Sequence, residues 1–180
     1  MVELSREKQY KGHAFDVSKV YFRLPNGKER TYDLVEHVDS VTILPVDADG
    51  NIFFVSQYRI GAGDELLELP AGVLDPGETP FVCANREIRE EIGMAAGKLQ
   101  ELGSFFLAAG YTDEFMTVYL ATELYEAPLD PDEDEDLQLQ VLPKNEVYRR
   151  VFAGEIKDGK TLATLLLALP YLKIDQAIKE

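Results

Sequence analysis

The sequence predicts an α+β protein of one main domain. Three observations indicate this class: the chain has 180 residues, its first part is rich in strand-like runs, and a single apolar stripe with helical spacing begins just after Thr79. Hydrophobic residues make up 46% of the chain and charged residues 28%, which is typical of a globular protein. No apolar run reaches the length of a membrane span.

The charge of the chain excludes several classes of partner. Asp and Glu number 33 against 18 Lys and Arg, so the formal net charge is −15. Because such a protein repels polyanions and anionic lipid surfaces, we expect no nucleic-acid and no membrane partner. The N-terminal residues are charged and lack the apolar stretch of a secretory signal, and Cys83 has no second cysteine to pair with, so we expect a cytoplasmic protein.

Two β-hairpins are predicted in the first sixty residues. Segments 15–24 and 30–37 are rich in Val, Tyr, Phe and Thr and flank an Asn-Gly pair, which is typical of a tight turn. Segments 40–46 and 52–58 flank a short polar stretch that also favours a turn. The second hairpin is the more apolar of the two, so we expect it to be the more buried.

A helix is predicted to begin after Thr79. Thr79 is a suitable N-cap, and Pro80 is favoured in the first helical turn. From Phe81 onward, four apolar residues continue one face at helical spacing: Ala84, Ile88, Ile92 and Ala95. Gly93 is suited to the end of such a helix.

The remaining elements are predicted from similar signals. Strands are expected at 65–70, 99–107, 115–124 and 139–142, and helices at 144–152 and 161–172. The acidic run at 130–136 is interpreted as a solvated loop, with a cation or partner site as the alternative.

A cluster of charged residues on the first predicted helix points to chemistry. Glu87, Glu90 and Glu91 fall in one sector beside the apolar stripe, since each helical residue turns by about 100°. Like charges at this spacing destabilise a helix by a few tenths of a kcal/mol, so we expect a cation to offset them. Dense carboxylate oxygens suit Mg²⁺ or Mn²⁺. A solvated acidic helix face is the alternative interpretation.

The spacing of these residues resembles the Nudix box. The pattern starts at Gly72, continues at Glu78, and ends in the run Arg-Glu-Ile-Arg-Glu-Glu-Ile-Gly at 86–93. The resemblance implies a Nudix hydrolase, in which a loop–helix–loop metal site lies in an α/β/α sandwich with a mixed β-sheet. Residues 39–180 would form that Nudix domain, and residues 1–38 a β-hairpin extension.

The resemblance also assigns roles to residues at matching positions. It implies that the metal is held by the carboxylates of Glu87, Glu90 and Glu91 and by the backbone carbonyl of Ala71. Arg86 would orient the box acids. From the residues alone, Gly72 and Gly77 are expected to provide positive φ and a close approach of the backbone to the metal. Glu78 is expected to serve either in the site or as a structural cap or salt-bridge partner.

Segments outside the box resemble the ADP-ribose pyrophosphatase branch of the family. The segments are 57–59, 65–72 and 110–114. This resemblance implies substrate contacts from Arg59, Glu68 and Gly110; a planar guanidinium suits a diphosphate well. A surface salt bridge is the alternative for Arg59, and a strand-edge position is the alternative for Glu68.

The activity implied is Mg²⁺-dependent hydrolysis of ADP-ribose to AMP and ribose 5-phosphate, with Mn²⁺ as the alternative ion. Glu114 is favoured as general base, and Glu90 is the competing candidate. Other possibilities are a pyrophosphatase for GDP-mannose or another sugar nucleotide, a catalytically idle module that binds a nucleotide, and a purely structural partner protein.

The resemblance further implies a homodimer in which the N-terminal extension is the dimerisation element. The hairpin at 10–37 would pack on the other subunit. From the residues alone, the adjacent β-rich hairpins are compatible with an interface, since they carry Tyr21, Phe22, Tyr32 and Leu34.

Overall fold

The computed structural model describes residues 1–130 and 137–172, and within them the chain forms ten strands and three helices. Apart from Asp130, the acidic run predicted to be a solvated loop lies outside the described residues. The chain divides into two compact units. The first unit comprises Met1–Asp39 and Phe105–Met116, and the second comprises Ser40–Ser104 and Thr117–Glu180.

The first unit contains a three-stranded antiparallel sheet. Its strands are β1 (Val2–Lys11), β2 (Asp16–Arg23) and β3 (Glu29–Glu36), in the order β1-β2-β3. The predicted hairpin corresponds to β2 and β3, and Gly27 takes a φ of 81° in the turn between them. Sequence analysis did not anticipate β1, because every residue of that strand is exposed and no apolar alternation marks it.

Seven further strands lie wholly or mainly in the second unit. They are β4 (Ser40–Pro45), β5 (Asn51–Arg59), β6 (Asp64–Glu68), β7 (Ala71–Val73), β8 (Met94–Phe106), β9 (Phe115–Glu126) and β10 (Gln138–Pro143). The strands form one sheet in the order β10-β5-β6 and another in the order β7-β4-β9-β8. The short strand β7 was expected to be loop. It forms because its three residues pair with the start of the buried strand β4.

Three helices cover the sheets. Helix α1 spans Pro80–Ile92, α2 spans Lys144–Phe152 and α3 spans Gly159–Ala168. The predicted start of α1 and its end at Gly93 are confirmed: the Thr79 hydroxyl accepts a hydrogen bond from the Val82 N–H at 3.4 Å, and Gly93 closes the helix with a φ of 70°. Placing Ala95 on the apolar face of this helix was wrong, because the chain has already entered β8 there. None of the helices in the described ranges is long and apolar enough to cross a membrane.

The core consists of two apolar clusters on opposite faces of the strands. Alternating residues of β4 and β5 separate them, since successive side chains of a strand point to opposite faces. One cluster joins Val41, Ile43 and Val55 to α1 through Ala84, Ile88 and Ile92. The other joins Leu44, Ile52 and Phe54 to α2 and α3 through Val147, Tyr148 and Leu165. The strands therefore lie between α1 and the α2–α3 pair, which confirms the expected sandwich.

Candidate active site

Helix α1 carries Arg86 and the three predicted box acids, and Arg86 contacts two of these acids. Its Nη1 donates to Oε1 of Glu87 at 2.7 Å and to Oε2 of Glu90 at 2.9 Å. Its Nε and Nη2 donate to the two carboxylate oxygens of Glu78 at 3.1 and 2.9 Å. One guanidinium thus contacts three carboxylates, which is the arrangement needed for a residue that orients the box acids.

The loop before α1 is held by the same arginine. Nη2 of Arg86 donates to the carbonyl of Val73 at 3.1 Å, and the Asp75 N–H donates to Oε2 of Glu78 at 3.0 Å. The hydrogen bonds from Arg86 keep the pKa of Glu78 below its usual value, although partial burial opposes this. Glu78 is therefore both a cap of the turn and a salt-bridge partner of the box arginine, as the alternative interpretation stated.

The two loop glycines are required for different reasons. Gly77 has a φ of 86°, as expected. Positive φ was the wrong expectation for Gly72, which lies in strand β7. A Cβ at Gly72 would overlap the carboxylate of Glu87, so a larger residue at this position would displace that carboxylate. The backbone of β7 can thereby approach Glu87, which is only 7% exposed.

The residues expected to hold a metal ion lie at the junction of β7 and α1. Oε2 of Glu91 accepts a hydrogen bond from the Ala71 N–H at 3.3 Å, and the carboxylate of Glu87 lies against Gly72. Glu90 shares Arg86 with Glu87. The structure therefore brings Ala71, Glu87, Glu90 and Glu91 into one neighbourhood.

The donor atoms in this neighbourhood fit a hard divalent cation. Carboxylate and carbonyl oxygens are the ligands that Mg²⁺ and Mn²⁺ prefer. Within 1–130 and 137–172, however, no three His, Cys, Asp or Glu side chains converge closely enough to form a metal cluster as they stand. In this arrangement Nη1 of Arg86 is hydrogen-bonded to both Glu87 and Glu90. The chemistry of the donor atoms fits a divalent cation, and the role of these residues as metal ligands remains a prediction.

A second charged cluster surrounds Glu68 at the end of β6. Nε and Nη2 of Arg59 donate to Oε1 and Oε2 of Glu68 at 2.8 and 2.7 Å, and Nζ of Lys160 also donates to Oε2. Glu68 is only 1% exposed. Burial alone would raise the pKa of Glu68, but the hydrogen bonds from Arg59 and the charge of Lys160 outweigh it, so the pKa lies below its usual value.

Sequence reasoning did not find Lys160 or its neighbour Asp158. The N-terminal signal of α3 was present, because Asp158 accepts a hydrogen bond from the Thr161 N–H at 2.9 Å and so acts as the N-cap. The contact between Lys160 and Glu68 joins residues that are 92 positions apart. No local pattern indicates a pairing at that separation.

Two predicted site residues lie in the first unit, on the loop between β8 and β9. The carbonyl of Glu114 accepts a hydrogen bond from the Leu107 N–H at 3.2 Å, and Oε2 of Glu114 lies 3.8 Å from Nδ1 of His37. Gly110 lines a cleft of about 390 Å³ in this unit, together with Phe22 and Tyr32.

The end of β3 fixes this loop. The Val35 N–H donates to the carbonyl of Tyr111 at 2.8 Å, and the Asp113 N–H donates to the carbonyl of Val35 at 3.3 Å. The His37 N–H adds a hydrogen bond of 2.9 Å to the carboxylate of Asp113. Glu114 therefore follows a segment with a defined backbone conformation.

Comparisons with known proteins show what the chain resembles. A NUDIX domain model matches residues 36–165. An ADP-ribose pyrophosphatase of Mycobacterium tuberculosis is 40% identical over 166 residues, which cover 91% of this chain and 80% of the relative. An ADP-ribose pyrophosphatase of Bacillus subtilis is 33% identical over 178 residues, which cover 98% and 94%.

A solved structure gives the same result at the level of the fold. The crystal structure of an ADP compounds hydrolase superposes with a TM-score of 0.84 at 26% sequence identity. The match covers 95% of this chain and 93% of that chain.

Proposed function

The chain belongs to the NUDIX family of hydrolases, and we propose that it is a metal-dependent ADP-ribose pyrophosphatase producing AMP and ribose 5-phosphate. The observation that carries this proposal is the gathering of Glu87, Glu90 and Glu91 beside Ala71 at the β7–α1 junction. The names of the relatives support ADP-ribose as the substrate.

The proposed metal ion is Mg²⁺, held by the carboxylates of Glu87, Glu90 and Glu91 and by the carbonyl of Ala71. A divalent ion at this position would neutralise charge on the diphosphate and would activate a water molecule. Arg86 fixes the side chains of Glu87 and Glu90 from within the same helix. Gly72 leaves the space that the Glu87 carboxylate occupies.

Arg59 is the proposed contact for the diphosphate. Its side chain is 43% exposed, and one edge of the guanidinium is hydrogen-bonded to Glu68. A guanidinium presents five N–H donors in a plane, so a second edge can bind phosphate oxygens while the first binds a carboxylate. Gly110 is the proposed contact for another part of the substrate, because the cleft that it lines carries aromatic side chains.

Glu114 is the proposed general base, and Glu90 is the competing candidate. A carboxylate can take a proton from water when it lies within hydrogen-bond reach of that water. Glu114 is separated from the box in sequence and follows a segment with a defined backbone conformation. Glu90, in contrast, is hydrogen-bonded to Arg86 at 2.9 Å, so its carboxylate already has a partner other than water.

We also propose a homodimer that forms through the N-terminal sheet. Strand β1 is an edge strand and is exposed at every position, and unpaired edges readily pair with another chain. Val2, Leu4 and Tyr10 are exposed large hydrophobic residues of this strand. Sedimentation should give a mass twice that of the 20.2 kDa chain. The cytoplasmic location expected from the sequence stays a prediction.

A substrate panel tests the proposed activity. The protein is incubated with ADP-ribose or GDP-mannose, in Mg²⁺ or in excess EDTA, and the products are separated by ion-exchange chromatography. We expect AMP and ribose 5-phosphate from ADP-ribose in Mg²⁺ only. Faster turnover of GDP-mannose would move the substrate assignment to another sugar nucleotide. Absence of any product in Mg²⁺ or Mn²⁺ would leave only a binding or structural role.

A further inference from the structure

Lys160 occupies an unusual position for a lysine. Its side chain is 11% exposed, and its Nζ donates to the carboxylate of buried Glu68 and lies 3.1 Å from Oδ2 of Asp158. Removing an ammonium group from water is costly unless the group is paired. The two carboxylates provide that pairing, so Lys160 is held in a defined position.

The hydrogen bonds of Glu68 extend this arrangement to Arg59. Because Nε and Nη2 of Arg59 both bind Glu68, the pairing uses one edge of the guanidinium. Among residues 1–130 and 137–172, no group accepts a hydrogen bond from Nη1 of Arg59. Nη1 and the second hydrogen of Nη2 therefore form an edge that can bind an acceptor with two oxygens.

The Arg59–Glu68 pair lies near the proposed metal ligands along the chain. Glu68 is the last residue of β6, and Ala71 follows three residues later. The Ala71 N–H donates to Oε2 of Glu91 at 3.3 Å, so this stretch of chain connects the pair to the box helix.

We propose that Lys160 is a positioning residue for substrate binding, which acts by holding Glu68 so that Arg59 keeps one guanidinium edge directed to the diphosphate. This inference rests on the proposed function. With Lys160 absent, a buried carboxylate would keep a single cationic partner and would take up a proton more easily. The two hydrogen bonds that orient Arg59 would then weaken, and the guanidinium would be less well ordered.

The backbone around Lys160 has its own anchor. The Leu69 N–H donates to Oγ1 of Thr161 at 2.9 Å, and Thr161 is fully buried. Helix α3 is therefore fixed to the chain after β6 without the lysine side chain. A variant at position 160 is expected to fold, which makes its effect on binding interpretable.

A double-mutant cycle between Lys160 and Arg59 tests the proposal. The four proteins are the wild type, Lys160→Met, Arg59→Met and the double variant. Each is assayed for KM and kcat with ADP-ribose in Mg²⁺. Calorimetry then gives the Kd of an ADP-ribose analogue in which a methylene group replaces the bridging oxygen.

We expect Lys160→Met to raise KM and Kd roughly tenfold and to change kcat by less than about threefold, since hydrogen bonds to charged groups are of this strength. Adding Lys160→Met to Arg59→Met should cause little further loss, because residues that act as a unit are not additive. Lys160→Arg should restore Kd to within about threefold of the wild type, because it keeps the charge.

Lys157→Met is the matched control. Lys157 is exposed and lies just before α3, close in sequence to Lys160, so this variant removes the same charge without touching Glu68. We expect it to bind and turn over substrate as the wild type does. Equal losses from Lys157→Met and Lys160→Met would assign the effect to net charge and would overturn the positioning role.

The remaining outcomes separate this inference from the proposed function. An active wild type with additive losses in the cycle, or with a lower Tm but unchanged KM and Kd in Lys160→Met, overturns the inference alone. A wild type that binds the analogue without hydrolysing ADP-ribose overturns the function, and the calorimetric cycle still decides the role of Lys160. A wild type that does neither overturns both.

Discussion

The two charged clusters of the second unit are built in opposite ways. Around Arg86, one guanidinium contacts three carboxylates, so negative charge is in excess. Around Glu68, one carboxylate contacts two cations, and Asp158 offsets the second of them. An additional cation would reduce the repulsion among the carboxylates of the first cluster, whereas the positive and negative charges of the second cluster already balance. Similar residue types can therefore prepare a site for a metal ion in one place and fix a side chain in another.

The largest expected effect comes from the acid-rich cluster. Glu87→Gln or Glu91→Gln should lower kcat with ADP-ribose roughly a thousandfold or more, because each removes a proposed metal ligand. Stability should change little, since each variant also relieves repulsion between like charges on α1. Steady-state assays in Mg²⁺ and thermal unfolding check both results. If both variants stay fully active, the metal assignment is wrong.

The balanced cluster should show the opposite behaviour. Glu68→Gln leaves buried Lys160 short of a partner, so it should destabilise the fold at pH 7 by about 3 kcal/mol. The pKa of Glu68 is lowered by folding, so its contribution is present above its unfolded pKa, near 4.3, and is lost as pH falls through the folded value. Urea unfolding at several pH values should therefore show wild type and variant converging in acid.

Glu65→Gln is the control for this measurement. Glu65 lies on the same strand as Glu68, but it is exposed. We expect this variant to keep wild-type stability at pH 7. A Glu68→Gln variant that is as stable as Glu65→Gln at pH 7 would remove the distinction between the two clusters.

A smaller effect is expected at the proposed base. Glu114→Gln should lower kcat roughly a hundredfold and leave Mn²⁺ binding unchanged, as expected for loss of a general base that is not a proposed metal ligand. Glu90→Gln should weaken Mn²⁺ binding as well, because Glu90 is a proposed metal ligand. Steady-state kinetics and calorimetric Mn²⁺ titration together distinguish the candidates. A normal kcat for Glu114→Gln across the pH range would assign the base to the box.

The parts of the fold that the sequence predicted are those with local signals. Thr79, Pro80 and Gly93 mark the ends of α1, and the spacing of its acids places them together on the helix. Strand β1 was missed because no face of it is buried, so its sequence shows no apolar period. Three residues of β7 pair with β4 through a register that no short segment encodes.

In the candidate site too, the sequence indicated only those groupings whose residues are close together in the chain. Arg86 and the box acids lie within two turns of one helix, so a single pattern places them. Lys160 reaches Glu68 only after α3 has packed, and this contact depends on the whole of the second unit. The expectation of a positive φ at Gly72 was wrong, because this residue lies in strand β7. The close approach of Glu87 to Gly72 could not be predicted, because the two residues are distant in sequence.

The most direct test of the account is to locate a bound ion. Crystals soaked in Mn²⁺ are measured at a wavelength where manganese scatters anomalously. The account predicts an anomalous peak bonded to the carboxylates of Glu87 and Glu91 and to the carbonyl of Ala71, with the Arg86 guanidinium moved from between the acids. Manganese bound only elsewhere, with Arg86 still joining Glu87 and Glu90, would contradict it.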